Sequence, residues 1–262
     1  MTRRFVLLCW LALATLAWSL PAAAQTAGTA RVRVIHASPD TPPMDLFVDN
    51  QPVLRDVPFA VIGDYQDWPA GSHTIAVAPA GQGIAAATAS ERLDLEAGTA
   101  YSLAVVLLNN RNFVQLTDYL TAPPAGKARV RVLHFSPDAP GADVEVINGP
   151  KLAQNVAFGT ASPYQTVDAT AYDLRLVTSG NNTVIVQLPA TTLNAGTIYD
   201  AVAIGRLAAI QVELASFTPS ASAAQSAPQL MPNVGATSNT NALLVLGLLT
   251  MLAGFALRRR AA

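Results

Sequence analysis

Residues 30–40 read ARVRVIHASPD, and residues 128–138 read ARVRVLHFSPD. In the first stretch Val32, Val34 and His36 alternate with Arg31, Arg33 and Ile35, and the second keeps the same order. A period of two puts successive side chains on opposite faces, so each stretch predicts a β-strand with the two Val and the His on one face. The Ser38-Pro39-Asp40 and Ser136-Pro137-Asp138 that follow predict the turn that ends the strand, with the Asp side chain accepting from backbone amides. Working outward, Asp45 and Val48 recur as Asp143 and Val146, still 98 residues on. Val57, Phe59 and Tyr65 recur as Val156, Phe158 and Tyr164, displaced by 99, and the Ala97-Gly98-Thr99 that precedes Tyr101 recurs before Tyr199, displaced by 98. One insertion and one deletion align the whole repeat. A period of this length marks a duplicated domain.

Within each copy, short apolar or alternating runs recur roughly every ten residues between Pro, Gly, Asn and Asp. The first copy predicts strands near 30–36, 44–49, 52–57, 61–67, 72–79, 86–94, 99–108 and 112–119, and the second repeats them about 98 residues on. Seven or eight strands without a helical period predict an antiparallel β-sandwich. Asn50 and the Asn148-Gly149 pair suit the tight turn of an early hairpin, because both residue types tolerate positive φ. The domain division expected is 25–121 and 128–218, joined by a short, Pro-containing linker at 122–127. So stiff a linker implies copies that touch or keep a restricted angle.

The ends have a different character. The chain has 262 residues, 51% hydrophobic but only 13% charged, and much of that apolar excess is terminal. Residues 1–24 combine Arg3-Arg4, an apolar run from Phe5 to Leu20, and Ala22-Ala23-Ala24, the layout of a secretory signal peptide cut between Ala24 and Gln25. Signal peptidase and the translocation machinery are the partners this implies. The single Cys, Cys9, would leave with the signal, which removes thiol and disulfide chemistry from the exported part. Residues 242–257 are almost wholly apolar and precede Arg258-Arg259-Arg260. Sixteen residues rise about 24 Å, slightly less than the roughly 30 Å hydrocarbon core, and the basic residues orient the C-terminus (258–262) to the cytoplasm. The preceding 219–241 segment is rich in Ser, Ala and Pro. It contains Met231-Pro232-Asn233-Val234-Gly235, similar to the sorting signal of sortase-like transpeptidases, which would cut between Val234 and Gly235. Processing there and a plain transmembrane anchor both remain open; either leaves the preceding domains outside the membrane.

The order Arg-Val-Arg-Val-x-His-x-Ser-Pro-Asp, then Asp-Leu-Phe-Val-Asp-Asn, then Ala-Gly-Thr-x-Tyr resembles the bacterial domain of unknown function family 4397. Both copies match it, over residues 30 to about 120 and 128 to about 217, with the second departing at Glu145-Val146-Ile147-Asn148-Gly149, where the acidic strand end is blurred. The resemblance implies extracellular, tandem, immunoglobulin-like or transthyretin-like β-sandwiches with no established activity.

His36, Ser38 and Asp40, with their counterparts His134, Ser136 and Asp138, are the most suggestive chemical group. His and Ser two apart on a strand share a face, but an Asp beyond Pro generally points elsewhere, and no nucleophile elbow accompanies them. They are therefore expected to be structural, and no catalytic residue is assigned. Asp40, Asp45, Asp138 and Asp143 are weak candidates for calcium, although the dense Asp-x-Asp-x-Asp spacing of a calcium loop is absent. No cofactor is expected. Tyr101 and Tyr199 suit the tyrosine corner of a sandwich, with the hydroxyl bonded to nearby backbone. Trp68 and Phe113 are candidate exposed aromatics for carbohydrate or protein contact. Without the two arginines near the start and the three near the end, the chain has 11 basic and 17 acidic residues, a net charge of −6. That excludes nucleic acid as a partner on electrostatic grounds. The function expected is therefore non-enzymatic: envelope structure, adhesion or macromolecule binding at the cell surface, through a ligand the sequence does not identify. The alternatives are a calcium- or small-ligand-binding surface module and, behind it, an envelope hydrolase using the His-x-Ser-Pro-Asp motifs.

Overall fold

The computed structural model describes residues 28–108 and 111–219. The expected signal peptide, its cleavage site, the sorting-like motif and the transmembrane segment lie outside those residues. Among the described residues no helix is long and apolar enough to cross a membrane.

The first copy contains β1 (Thr29–His36), β2 (Met44–Val48), β3 (Gln51–Val57), β4 (Gln66–Pro69), β5 (Gly71–Pro79), β6 (Ala89–Leu95), β7 (Ala100–Leu108) and β8 (Arg111–Asp118). The second contains β9 (Lys127–Phe135), β10 (Ala142–Val146), β11 (Lys151–Val156), β12 (Thr160–Ala161), β13 (Gln165–Asp168), β14 (Ala171–Thr178), β15 (Val184–Thr192), β16 (Ile198–Ile204) and β17 (Gln211–Phe217). Four sheets result, with strand orders β4-β1-β7-β8 and β3-β2-β5-β6 in the first copy, and β12-β9-β16-β17 and β11-β10-β14-β15 in the second, where β13 also pairs with β9. The two sheets of each copy enclose a core: Val32, Val34, Leu46, Ile75, Leu103 and Phe113 in the first, and Val130, Val132, Val144, Leu176 and Ala201 in the second.

Two expectations are corrected. The sheets are not purely antiparallel, because β1 runs parallel to β7 and β9 parallel to β16. The chain leaves β1 for β2 and β3 of the opposite sheet, returns as β4 to one edge of β1, crosses again as β5 and β6, and re-enters as β7 on the other edge of β1 in the same direction, a path that alternation along one strand cannot report. The strand expected at 61–67 is also broken. In the first copy Ile62 makes a lone bridge to Ile35 before β4 begins at Gln66, and in the second β12 and β13 pair with β9 in two instalments. Tyr65 and Tyr164 sit in the gaps. Pro163, which has no amide to donate, falls in the second.

The outward faces of β1 and β7 are not solvent-exposed. Ile35, Ala104, Val106 and Val114 pack against Leu133, Phe135, Val202 and Ile204 in a single buried cluster, so the copies meet sheet to sheet. Arg33 and Ile35, which alternation turns away from the first core, are thereby buried in a second one.

Candidate functional site

Four charges lie in that contact. Arg33 and Ser102 are paired across β1 and β7, and Arg131 and Asp200 occupy the equivalent pairing across β9 and β16. The Arg33 Nε donates to the Ser102 hydroxyl at 2.8 Å, and its Nη2 bonds Asp200 of the other copy. The Arg131 Nε donates to Asp200 at 2.8 Å and its Nη2 bonds Asp118 of the first copy. The Ser102 and Tyr65 hydroxyls both donate to Asp118, each at 2.6 Å. Two guanidinium and two carboxylate groups, each no more than 4% exposed, balance in charge. The guanidinium groups also stack on Tyr65, at 4.9 Å, and on Tyr164, at 4.5 Å. Burial pushes the Tyr65 phenol well above its ordinary value, with Asp118 adding to the effect and Arg33 opposing it. Strand register makes Phe217 the counterpart of Asp118, so among the described residues the buried Tyr164 hydroxyl has no carboxylate acceptor of that kind. Sequence reasoning did not single out Arg33 or Arg131. The available signal was Ile35 and Phe135, apolar residues in phase with the arginines on the same strand face.

The His-x-Ser-Pro-Asp motifs do not assemble a catalytic group. His36 is fully buried, with Nδ1 3.0 Å from the Val57 carbonyl and Nε2 2.9 Å from the Thr41 hydroxyl. The carbonyl fixes the proton on Nδ1, so the neutral ring can only accept at Nε2, from a Thr41 hydroxyl whose one proton also lies within reach of the Ser38 carbonyl at 3.0 Å. His134 takes the opposite tautomer: Nδ1 accepts from the Ser136 amide at 3.1 Å, and Nε2 donates to the Pro140 carbonyl at 3.0 Å. Desolvation lowers both imidazole pKa values, outweighing the backbone hydrogen bonds that raise them. Each ring thus closes the strand onto its own turn. Ser38 is buried as well, and the buried Ser136 hydroxyl has no partner.

Asp40 and Asp138 do not cap their own turns as expected. Both reach the loop after β16: Asp40 pairs with the Arg206 side chain, while the Asp138 carboxylate accepts from the Leu207 amide at 2.8 Å. The two turns are brought to one loop because the inner sheets stack face to face.

Asp45 and Asp143 serve a different purpose. β2–β3 and β10–β11 each contain a bulge, and Asp56 and Asn155 sit there with φ of 51° and 46°. The Asp45 carboxylate accepts from the Asp56 amide at 2.9 Å and the Gly81 amide at 3.0 Å. These bonds, the first above all, hold its pKa below the usual carboxylate range. Asp143 accepts from the Asn155 amide at 2.7 Å, from Lys151 at 2.6 Å and from the Ser179 hydroxyl. Burial opposes its ionisation, but those donors outweigh it and lower the pKa. The four aspartates considered for calcium therefore do not converge, and among the described residues no cluster of three or more His, Cys, Asp or Glu could hold a metal.

The Tyr101 hydroxyl lies 3.2 Å from the Glu96 amide and that of Tyr199 lies 2.9 Å from the Asn194 amide, each accepting from backbone five residues upstream. Trp68 and Phe113 are 6% and 5% exposed, so neither is a surface aromatic; both fill the first core.

The repeat is matched by one family model, described as a domain of unknown function, DUF4397, over residues 30–145 and again over 130–230. This chain belongs to the DUF4397 family. No curated protein matches this DUF4397 chain. Among solved structures, the Bacillus anthracis TIE protein is 10% identical at a TM-score of 0.23, covering 68% of this chain and 34% of its own. The chain thus spans about a third of that protein's length. A candidate cell adhesion protein from Bacteroides uniformis ATCC 8492 is 8% identical at a TM-score of 0.21, covering 73% of this chain and 99% of its own. One from Bacteroides fragilis NCTC 9343 is 11% identical at 0.18, covering 73% and 98%.

Proposed function

We propose that this DUF4397 protein is a non-enzymatic, exported tandem β-sandwich that is displayed at the cell surface and acts in envelope structure, adhesion or macromolecule binding. One observation carries the reading: the His, Asp and Tyr side chains of the repeated motif are spent on closing turns, capping bulges and bonding backbone. A catalytic group needs a nucleophile, a base and an orienting partner in mutual reach, and the repeated residues supply no such set. The N-terminal leader would deliver the chain through the translocation machinery, and signal peptidase would cut after Ala24. The C-terminal apolar segment would retain it, as a membrane anchor or after transpeptidation at Val234. Its net negative charge favours a soluble, exposed module over one that clings to phosphate-rich polymers.

Lys127 and Lys151 are the only lysines in the chain, and both are partly exposed. A membrane-impermeant amine reagent applied to intact cells is expected to label both. Labelling only after lysis would overturn the surface assignment. Mass spectrometry of the same labelled chain separates an intact Ala262 from a C-terminus processed at Val234.

A further inference from the structure

The two sandwiches share a register but are not filled alike. Leu103 on β7 and Ala201 on β16 stand opposite Val34 and Val132, and Val105 and Ala203 stand opposite His36 and His134. Phe113 pairs with Val105, but its counterpart Val212 pairs with Ala203. Leu93 pairs with His73, and Thr191 takes its place opposite Tyr172. Four core positions therefore carry smaller or more polar residues in the second copy.

The rim changes the other way. In the first copy Glu91 and Gln115 occupy the edge strands, and the Gln115 side-chain amide donates to the Asp94 carbonyl at 3.0 Å, linking β8 to β6. Leu188 and Leu214 stand at those positions in the second copy, and Leu214 is 41% exposed. Between them is a cavity of ≈ 90 Å³ inside the second sandwich, with walls almost wholly of Val, Leu and Ala. Arg131 borders it, but its guanidinium is turned into the inter-copy contact, where Asp118 and Asp200 hold it.

We infer that the second copy is a binding site for a slim, uncharged hydrocarbon group, such as the end of an alkyl chain, entering between β15 and β17 past Leu188 and Leu214. The lining has no free charge to pair with an ionic ligand, and burying an unpaired charge there would be costly. An apolar cavity of roughly 150 Å³ stays dry and admits benzene or xenon, so a space of this order suits a few methylenes and not a large ring system. Emptying the interior while making the entrance apolar costs core stability and surface solubility together, and a ligand that covers both offsets the two losses.

The probe is 1-hexanol, titrated into the intact chain and followed by methyl NMR. Saturable shifts are expected at methyls of the second sandwich but not the first, with Tm rising about 2–4 °C at a few times the Kd. The A201L/V212F variant restores the residues of the first copy and is expected to keep its fold and lose the shifts. L214Q, at an exposed position, is expected to weaken binding several-fold. If A201L/V212F loses its folded spectrum, Ala203→Val, the residue of the first copy at that position, decides in its place. Absence of saturable shifts, or shifts that survive in the filled variant, would overturn the site. So would hexanoate binding as tightly as hexanol at neutral pH.

Discussion

His36 and His134 show how one residue can look chemical in a sequence and be structural in a fold. Each ring is buried and uses both nitrogens within its own copy. Because burial lowers both pKa values below the ordinary 6.5, the unfolded chain binds more protons than the folded one as pH falls through that value. Stability is therefore fully present above about pH 6.5 and is lost on acidification toward the folded-state values, since it rises with pH wherever the unfolded state holds the extra protons. Urea midpoints at pH 7.5 and 5.5 are expected to differ in this direction. In a variant with both histidines changed to Gln, the difference should shrink. A midpoint that is flat or rises on acidification would contradict the buried neutral assignment. The strand face that these residues share with the valines was legible in the sequence. Their partners were not, because Val57 and Pro140 lie on segments whose approach depends on the whole turn.

At the scale of the element, the bulged hairpins β2–β3 and β10–β11 are the clearest case of a side chain fixing backbone geometry. Asp56 and Asn155 adopt positive φ, and each amide is bonded by a carboxylate from the opposing strand. Removing that acceptor leaves a left-handed residue and a part-buried amide unsupported. Asp45→Ala is expected to lower stability by about 1–3 kcal/mol, measured by urea denaturation, the usual cost of leaving a buried polar partner unsatisfied. A change within about 0.5 kcal/mol would remove Asp45 from this role. The strands were largely readable from period and punctuation, with β1, β2, β3 and β5 falling close to the expected bounds. The stretch around 61–67 was not, because its pairing with β1 is interrupted at Tyr65, whose hydroxyl turns to Asp118 and whose ring meets Phe217 of the other copy edge-on. Nor was the parallel pairing of β1 with β7, which depends on the path taken between them.

The whole molecule is where the sequence was least informative and the structure adds most. Duplication was visible from residues 30–40 and 128–138 alone, but nothing local said that the outer faces of β1 and β9 would meet. The alternation placed Arg33 on the strand face opposite Val32, Val34 and His36, and singled out neither it nor Arg131. In the fold they lie with Asp118 and Asp200 at the centre of the contact, beside Ile35 and Phe135. A buried, charge-balanced group of this kind is weak evidence of net stability, because desolvation offsets most of the attraction. Removing one member is costly all the same, since it leaves a buried charge uncompensated. The two sandwiches should consequently unfold as one unit and not as beads on a linker.

Trp68 tests that claim most directly, because it is buried in the first copy while Asp200 belongs to the second. With Trp10 and Trp18 replaced by Phe, Trp68 is the one fluorescent tryptophan left in the chain. Asp200→Asn is predicted to lower the stability reported by Trp68 in urea by about 3–5 kcal/mol, in a single transition shared with the circular dichroism of the whole chain. A Trp68 transition unmoved by the substitution, or separate from that of the second copy, would contradict the account.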